Sequence, residues 1–171
     1  VNAREAMVIN TQRCTRCDDC VRACAAGHGG ISRFNRTGPT FNQFQFTESC
    51  MHCVDPVCMI GCPTGAIRRD ATNGVVSIHE NTCIGCKTCA EACPYNNISM
   101  EVVQPAFNLV KLLSPTENRQ VASKCDLCSN LPAGPACVAA CPHEALERVD
   151  LSDTDKLRAW LKGQRTTATE K

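Results

Sequence analysis

Sixteen cysteines in 171 residues fall into four groups of four. They read Cys14-x2-Cys17-x2-Cys20-x3-Cys24, Cys50-x2-Cys53-x4-Cys58-x3-Cys62, Cys83-x2-Cys86-x2-Cys89-x3-Cys93 and Cys125-x2-Cys128-x8-Cys137-x3-Cys141. A [4Fe–4S] cluster takes four thiolates, so sixteen cysteines suffice for four clusters with none left over. Pro63, Pro94 and Pro142 follow the last cysteine of three groups, completing the C-x2-C-x2-C-x3-C-P type of run that binds such clusters. Two other chemistries use crowded cysteines. A disulfide scaffold suits short secreted chains, but the tight C-x-x-C spacing and its fourfold recurrence oppose it. Structural zinc takes two C-x2–4-C pairs separated by a longer loop, whereas the first three groups here each crowd three cysteines together before a C-x3-C step.

The rest of the composition agrees with a metal-built fold. The chain has five Phe, one Tyr and one Trp, and its 43% hydrophobic content counts the cysteines. The organic core is thin, and metal must supply much of the folding free energy. The formal charge is +1 with neutral thiols. Each oxidised cluster with its four thiolates carries about −2, so four of them bring +1 to about −7. No run of Lys and Arg interleaved with aromatics supports nucleic-acid binding. No apolar stretch reaches the length of a spanning helix, so no direct membrane insertion is expected. Val1 to Asn10 lacks the features of a signal peptide and an initiator Met, which leaves either a processed chain or a portion of a longer polypeptide. Reduced thiols for cluster assembly favour the cytoplasm, at a membrane through a partner or exported with one as the alternatives.

The cysteine groups form an internal repeat of variable period. Asn73-Gly74 between Ala66-Ile67-Arg68-Arg69 and Val75-Val76-Ser77-Ile78 predicts a hairpin with strands at about 65–69 and 75–79. Met7–Asn10 and Leu146–Val149 read as outer strands. Thr88 to Ala92 and Val21 to Ala25 suit short helices that aim N–H groups at sulfur. Gly27 to Ser49 concentrates Phe34, Phe41, Phe44 and Phe46, and Ser99 to Ser123 holds Val102, Val103, Phe107, Leu109, Val110, Leu112 and Leu113 before Ser114-Pro115. These connections either cover the clusters or dock a partner. Ser152-Asp153 caps a predicted helix with Leu157, Trp160 and Leu161 on one face and Gly163 as its stop. Trp160 is expected to anchor that helix. Residues 164–171 read as a mobile tail.

Cys50-Met51-His52-Cys53-Val54-Asp55-Pro56-Val57-Cys58 with Cys62-Pro63-Thr64-Gly65-Ala66, and Cys83-Ile84-Gly85-Cys86-Lys87-Thr88-Cys89 with Cys93-Pro94-Tyr95, resemble the second and third cysteine groups of the four-cluster ferredoxin-type subunits. These are the electron-transfer subunits of dimethyl sulfoxide reductase, polysulfide reductase, formate dehydrogenase and related molybdenum enzymes, and of some hydrogenase complexes. The resemblance spans about residues 7–150. It implies an α+β fold of two nested bacterial-ferredoxin-like halves related by a pseudo-twofold, with few short strands and helices and a C-terminal helix. The expected four-cluster domain covers 1–150, one half at about 7–30 plus 120–150 and the other at about 47–101, followed by the helix at 151–163.

The resemblance also implies four [4Fe–4S] clusters that exchange their last ligand. Cys14, Cys17, Cys20 and Cys141 hold the first, and Cys125, Cys128, Cys137 and Cys24 the second. Cys50, Cys53, Cys58 and Cys93 hold the third, and Cys83, Cys86, Cys89 and Cys62 the fourth. Sequential pairing of group one with two and three with four is the physical alternative. Some relatives replace a cysteine of the third group and carry a three-iron cluster; this chain keeps all four. It departs from the family in the x8 gap of group four and in the compactness of both long connections, so relatives' docking surfaces do not transfer. The opening Arg13–Cys20 with His28-Gly29-Gly30 also resembles iron–sulfur modules fused behind a regulatory-type domain.

The expected role is an electron-relay subunit or domain, passing single electrons between a catalytic subunit and a second carrier. The alternatives are a freely diffusing polyferredoxin and a cluster-based redox sensor. No catalytic constellation of the chain's own is evident. Arg13, Arg16, Lys87, Lys124, His52 and His143 lie within or beside the groups, where a cation would raise a cluster's potential or merely be solvated.

Overall fold

A computed structural model describes residues 2–103 and 119–168, with side chains of the C-terminal helix through Gly163. Strand β1 (Glu5–Asn10) lies at the centre of a four-stranded antiparallel sheet of order β2-β3-β1-β8, with β2 at Thr40–Phe41, β3 at Phe44–Phe46 and β8 at Leu146–Asp150. Val8 pairs with Phe46 and Ile9 with Leu146. Residues 5–9 are all buried because both faces of β1 are covered. Met7 and Ile9 face an apolar cluster holding Cys24, Cys125 and Cys137. Ala6 and Val8 face a second cluster, which Phe44, Val149, Leu157 and Trp160 complete. At its start the buried Glu5 carboxylate accepts two hydrogen bonds from the Arg148 guanidinium, at 2.7 and 2.9 Å.

Two further two-stranded ribbons complete the β structure. The predicted hairpin forms as β4 (Ile67–Arg69) and β5 (Val76–Ile78), in register Ile67↔Ile78. Its connection, 70–75, is wider than a two-residue turn: the Asp70 carboxylate accepts the N–H groups of Thr72 and Asn73, and Gly74 supplies a φ of +71°. The second ribbon, β6 (Ser99–Val103) with β7 (Arg119–Ser123), forms from the two ends of the connection that the sequence reads as covering loop. Phe107, Leu109, Val110, Leu112, Leu113, Ser114 and Pro115 of that connection lie outside the described residues. In the other long connection Phe34 is buried against the cysteine-bearing core, whereas Phe41 is 69% exposed.

Each of four short helices carries the third cysteine of one group: Cys20 in α1 (Asp19–Gly27), Cys58 in α2 (Val57–Ile60), Cys89 in α3 (Thr88–Ala92) and Cys137 in α4 (Ala136–Ala139). Helix α1 packs on α4, and α2 on α3. The C-terminal helix α5 (Thr154–Ala168) is capped by Asp153, whose carboxylate accepts from Asp155 and Lys156 N–H at 3.0 Å. It runs past Gly163, the expected stop, into the expected tail. Gly163 does not adopt a left-handed φ, and a glycine inside a helix costs only about 1 kcal/mol against alanine. Trp160 anchors the helix, its ring 4.9 Å from that of Phe44 and its indole N–H donating to Glu147.

Candidate metal centres

One local backbone conformation recurs in all four cysteine groups. The residue just before the second cysteine has a left-handed φ each time: Arg16 at 60°, His52 at 43°, Gly85 at 72° and Leu127 at 56°. Groups one and three repeat it just before α1 and α3, at Asp18 (64°) and Lys87 (67°). Three residues beyond the last cysteine, Gly65, Asn96 and Glu144 share a third left-handed turn, each N–H donating to that cysteine's carbonyl at 3.2–3.3 Å. Group one, which lacks the Cys-Pro step, lacks this turn. A non-glycine residue in this region costs of order 1 kcal/mol or more. Groups one, two and four carry that strain and group three avoids it with Gly85; the shared conformation turns successive amides to one side, the nest geometry that receives an anion.

The turns gather thiols from groups far apart in sequence. Cys14, Cys17 and Cys20 line one cavity with Cys141, in about 330 Å³ of atom-free space. Cys83, Cys86 and Cys89 line another with Cys62, also about 330 Å³. Cys50, Cys53 and Cys58 line a third with Cys93, about 370 Å³. Cys24, Cys125 and Cys137 share one buried apolar cluster. Cys128 lies close enough for its charge to act on Cys137 and for that of Cys24 to act on it.

Amide hydrogens point at the sulfurs. Arg33 N–H donates to Cys24 Sγ at 3.3 Å, Ala122 N–H to Cys83 Sγ at 3.4 Å, Ala145 N–H to Cys141 Sγ at 3.3 Å and His52 N–H to Cys50 Sγ at 3.4 Å. Such donors stabilise a thiolate. At Cys62 desolvation is outweighed by hydrogen bonds from Ile67, Thr64 and Ala66, which hold the thiol below its ordinary value, and those from Thr88 lower Cys86, whereas burial prevails at the deeper positions. Burial pushes the Cys58 thiol up to about 11, helped by the neighbouring Cys50 and Cys93. Burial, then Cys24 and Cys128, pushes Cys137 up to about 12. Cys125 is driven up by burial as well. At these three buried positions a positive charge among the thiols would stabilise the thiolates.

His52 supplies an independent test of what the third cavity takes. The ring is 1% exposed and lines that cavity; Nδ1 accepts the Val76 N–H at 3.0 Å, so the ring proton resides on Nε2. Burial, then the charge of Lys124, holds the imidazole down to about 2, so it is neutral. Its Nε2 is buried with no partner among the described residues, a donor that suits a group bearing acceptor atoms such as sulfide. Together with the four-thiol donor sets and the inward amides, the residues fit iron–sulfur clusters.

The other flagged side chains divide. Arg16 and His143 line the first cavity, and Lys87 the one beside Cys83. Arg13 is half exposed and pairs with the exposed Glu144 at 3.3 Å, a solvated contact. Lys124 is buried, its ammonium 3.2 Å from Cys50 Sγ. Sequence reasoning did not find the ionic group over Cys24 and Cys128, where Asp126 binds Arg33 at 3.1 Å and His28 at 3.3 Å, and Arg33 reaches Glu80 at 2.9 Å. Asp126 stands between two cysteines of group four, which was the available signal.

Gly85 is the turn residue least able to change. A Cβ there would lie 2.4 Å from the Gln120 carbonyl oxygen on β7, in addition to the strain of φ +72°. We expect Gly85→Ala to cost about 2–4 kcal/mol and to release the iron held near Cys86 first, measured by thermal melting and by iron retention.

The sequence profile of the 4Fe-4S dicluster domain matches residues 41–151, which hold groups two, three and four. The ferredoxin-like protein YdhX of Escherichia coli K12, whose own name calls it uncharacterized, is 36% identical over 92% of this chain and 70% of its own length. The electron transport protein HydN of the same strain is 35% identical over 90% of this chain and 92% of its own. Protein NrfC, also of that strain, is 35% identical over 96% and 73%. By that match and these relatives, the chain belongs to the 4Fe-4S dicluster domain family of ferredoxin-type electron-transfer proteins.

Proposed function

We propose that the chain relays single electrons between a catalytic partner and a second redox carrier, through four [4Fe–4S] clusters held in two nested halves. Cys14, Cys17, Cys20 and Cys141 are the ligands of the first, and Cys24, Cys125, Cys128 and Cys137 of the second. Cys50, Cys53, Cys58 and Cys93 hold the third, and Cys62, Cys83, Cys86 and Cys89 the fourth. Groups one and four make one half, groups two and three the other, within a domain of 1–150. The observation that carries this reading is the arrival of Cys141, Cys93 and Cys62 at cavities lined by three thiols of a different group. The pairing of α1 with α4 and of α2 with α3 points the same way. Each cluster supplies a site that accepts and gives up one electron with little change of shape.

Contacts between thiols of different sets support one order for the relay. Cys20 acts electrostatically on Cys137, and Cys50 on Cys125, so the second set has neighbours in the first and the third. Cys58 and Cys62 flank the end of α2, and Cys89 and Cys93 that of α3, which joins the third set to the fourth. Cys17 and Cys86 are the exposed thiols, one in the first set and one in the fourth, and Ile84 beside Cys86 is 64% exposed. Electrons enter and leave at these two sets, where protein partners dock. No helix among the described residues is long and apolar enough to cross a membrane. The cytoplasm is the proposed location, since it keeps the ligand thiols reduced.

Anaerobic purification should yield about sixteen irons and as many sulfides per chain, and reductive titration four one-electron paramagnetic centres. Zinc in their place, no sulfide, or fewer than four centres would overturn the reading.

A further inference from the structure

Lys124 is 3% exposed, an unusual place for the residue type that is hardest to bury. Its Nζ donates to Cys50 Sγ at 3.2 Å, to the Cys125 carbonyl at 3.3 Å and to the Val76 carbonyl. Three acceptors use all three N–H bonds of an ammonium, one more than a neutral amine offers. Among the described residues no carboxylate forms an ion pair with it. An uncompensated ammonium inside a protein is costly, and it persists where a negative partner is built beside it.

The place of that partner is marked by two backbone contacts. Val76 on β5 offers its carbonyl to Lys124 and its N–H to His52 Nδ1, so one buried residue holds both side chains. The acceptors on the cysteine side come from two different ligand sets. Cys50 belongs to the set with Cys53, Cys58 and Cys93; Cys125 belongs to the set with Cys24, Cys128 and Cys137. The ammonium therefore stands at the junction between the two halves, on the side of Cys50 sulfur.

We propose that Lys124 is a positioning residue for electron transfer between the halves: its fixed positive charge makes the cluster on Cys50, Cys53, Cys58 and Cys93 easier to reduce. The inference rests on the four-cluster reading above. One electron lost by the neighbouring iron–sulfur group at Cys125 would be gained at Cys50, and no bond forms or breaks. In a water-poor interior the attraction between the added charge and the ammonium is weakly screened.

The test is an anaerobic redox titration of the full chain, followed by electron paramagnetic resonance, for the native protein, Lys124→Met and Lys124→Gln. The methionine removes charge and donors together; the glutamine keeps donors without charge. Both should make one centre at least tenfold harder to reduce, about 59 mV for a one-electron couple, and leave the other three within threefold. A fully loaded Lys124→Met or Lys124→Gln protein with all four midpoints unmoved overturns the proposal. Should neither variant load iron, lysine carrying 15N at Nζ decides the matter in Lys87→Met protein, where Lys124 is, among the described residues, the one lysine left beside a ligand. Nitrogen coupling to a single reduced centre supports the proposal, and its absence overturns it. Failure of the native protein to show four centres counts against the four-cluster reading instead; unmoved midpoints in loaded variants count only against Lys124.

Discussion

Removing iron with a chelator in the absence of oxygen should unfold most of this chain, and in a set order. The main apolar cluster contains nine buried residues, of which Cys24, Cys125 and Cys137 are three, with Cys14, Cys20, Cys50 and Cys141 packed around them. The cluster beneath the β4–β5 ribbon has only Ile67, Val76, Cys89, Ile98 and Ala122 fully inside, surrounded by Cys58, Cys62, Cys83 and Cys93. Without metal these regions surround three cavities lined by crowded thiols. A structural metal site contributes on the order of 10 kcal/mol in small zinc domains, comparable to the whole stability of an ordinary domain at about 5–15 kcal/mol. The third cluster, formed by Ala6, Val8, Phe44 and Val149 with Trp160 against them, contains no cysteine. Hydrogen exchange on the iron-free chain should therefore show protection lost at β4, β5 and the four short helices, with remnants at β1 and β8. A cooperative melt of iron-free protein near the temperature of the loaded one would contradict this.

Cys141→Ala should disable a centre whose other ligands lie more than a hundred residues earlier in the chain. The expected loss is about a quarter of the iron, or conversion of that one centre to a three-iron form. Brief alkylation and mass mapping would read the consequence: Cys14, Cys17 and Cys20 become reactive, while Cys125, Cys128 and Cys137 stay protected with Cys24. Cys24→Ala should do the reverse. If Cys141→Ala instead exposes Cys125, Cys128 and Cys137, each group keeps its own last cysteine and the exchange of ligands is wrong. The thiols read out the result directly, since a thiolate bound to iron is withheld from the reagent and a freed one is not.

Much of this arrangement was legible before any coordinates. Cysteine spacing named every candidate ligand because a cluster imposes its own geometry on nearby residues. The hairpin at Asn73-Gly74, the outer strands at Met7–Asn10 and Leu146–Val149, and the short helix at Thr88–Ala92 followed from local pattern, and the structure has each of them. What escaped was decided at a distance. Thr40 and Phe41 are exposed and carry no apolar alternation, yet they form the edge of the main sheet by pairing with β3. Ser99–Val103 and Arg119–Ser123 pair with each other although the sequence pattern marks neither as a strand. Arg16, Leu127 and Glu144 adopt left-handed turns that their side chains disfavour, which composition cannot announce. Lys124 read as one of several charges beside a ligand, and only its surroundings separate it from the solvated Arg13.

The uneven exposure of the sulfurs also bears on how this molecule ages in air. Cys17 and Cys86 meet solvent, whereas Cys24, Cys89, Cys125, Cys128 and Cys137 are shielded. Dioxygen and peroxide reach accessible sulfur first. On the proposed four-cluster reading, damage would begin at the two sets that meet partners while the interior sets still held their iron, so a sample could keep its colour long after it had stopped conducting.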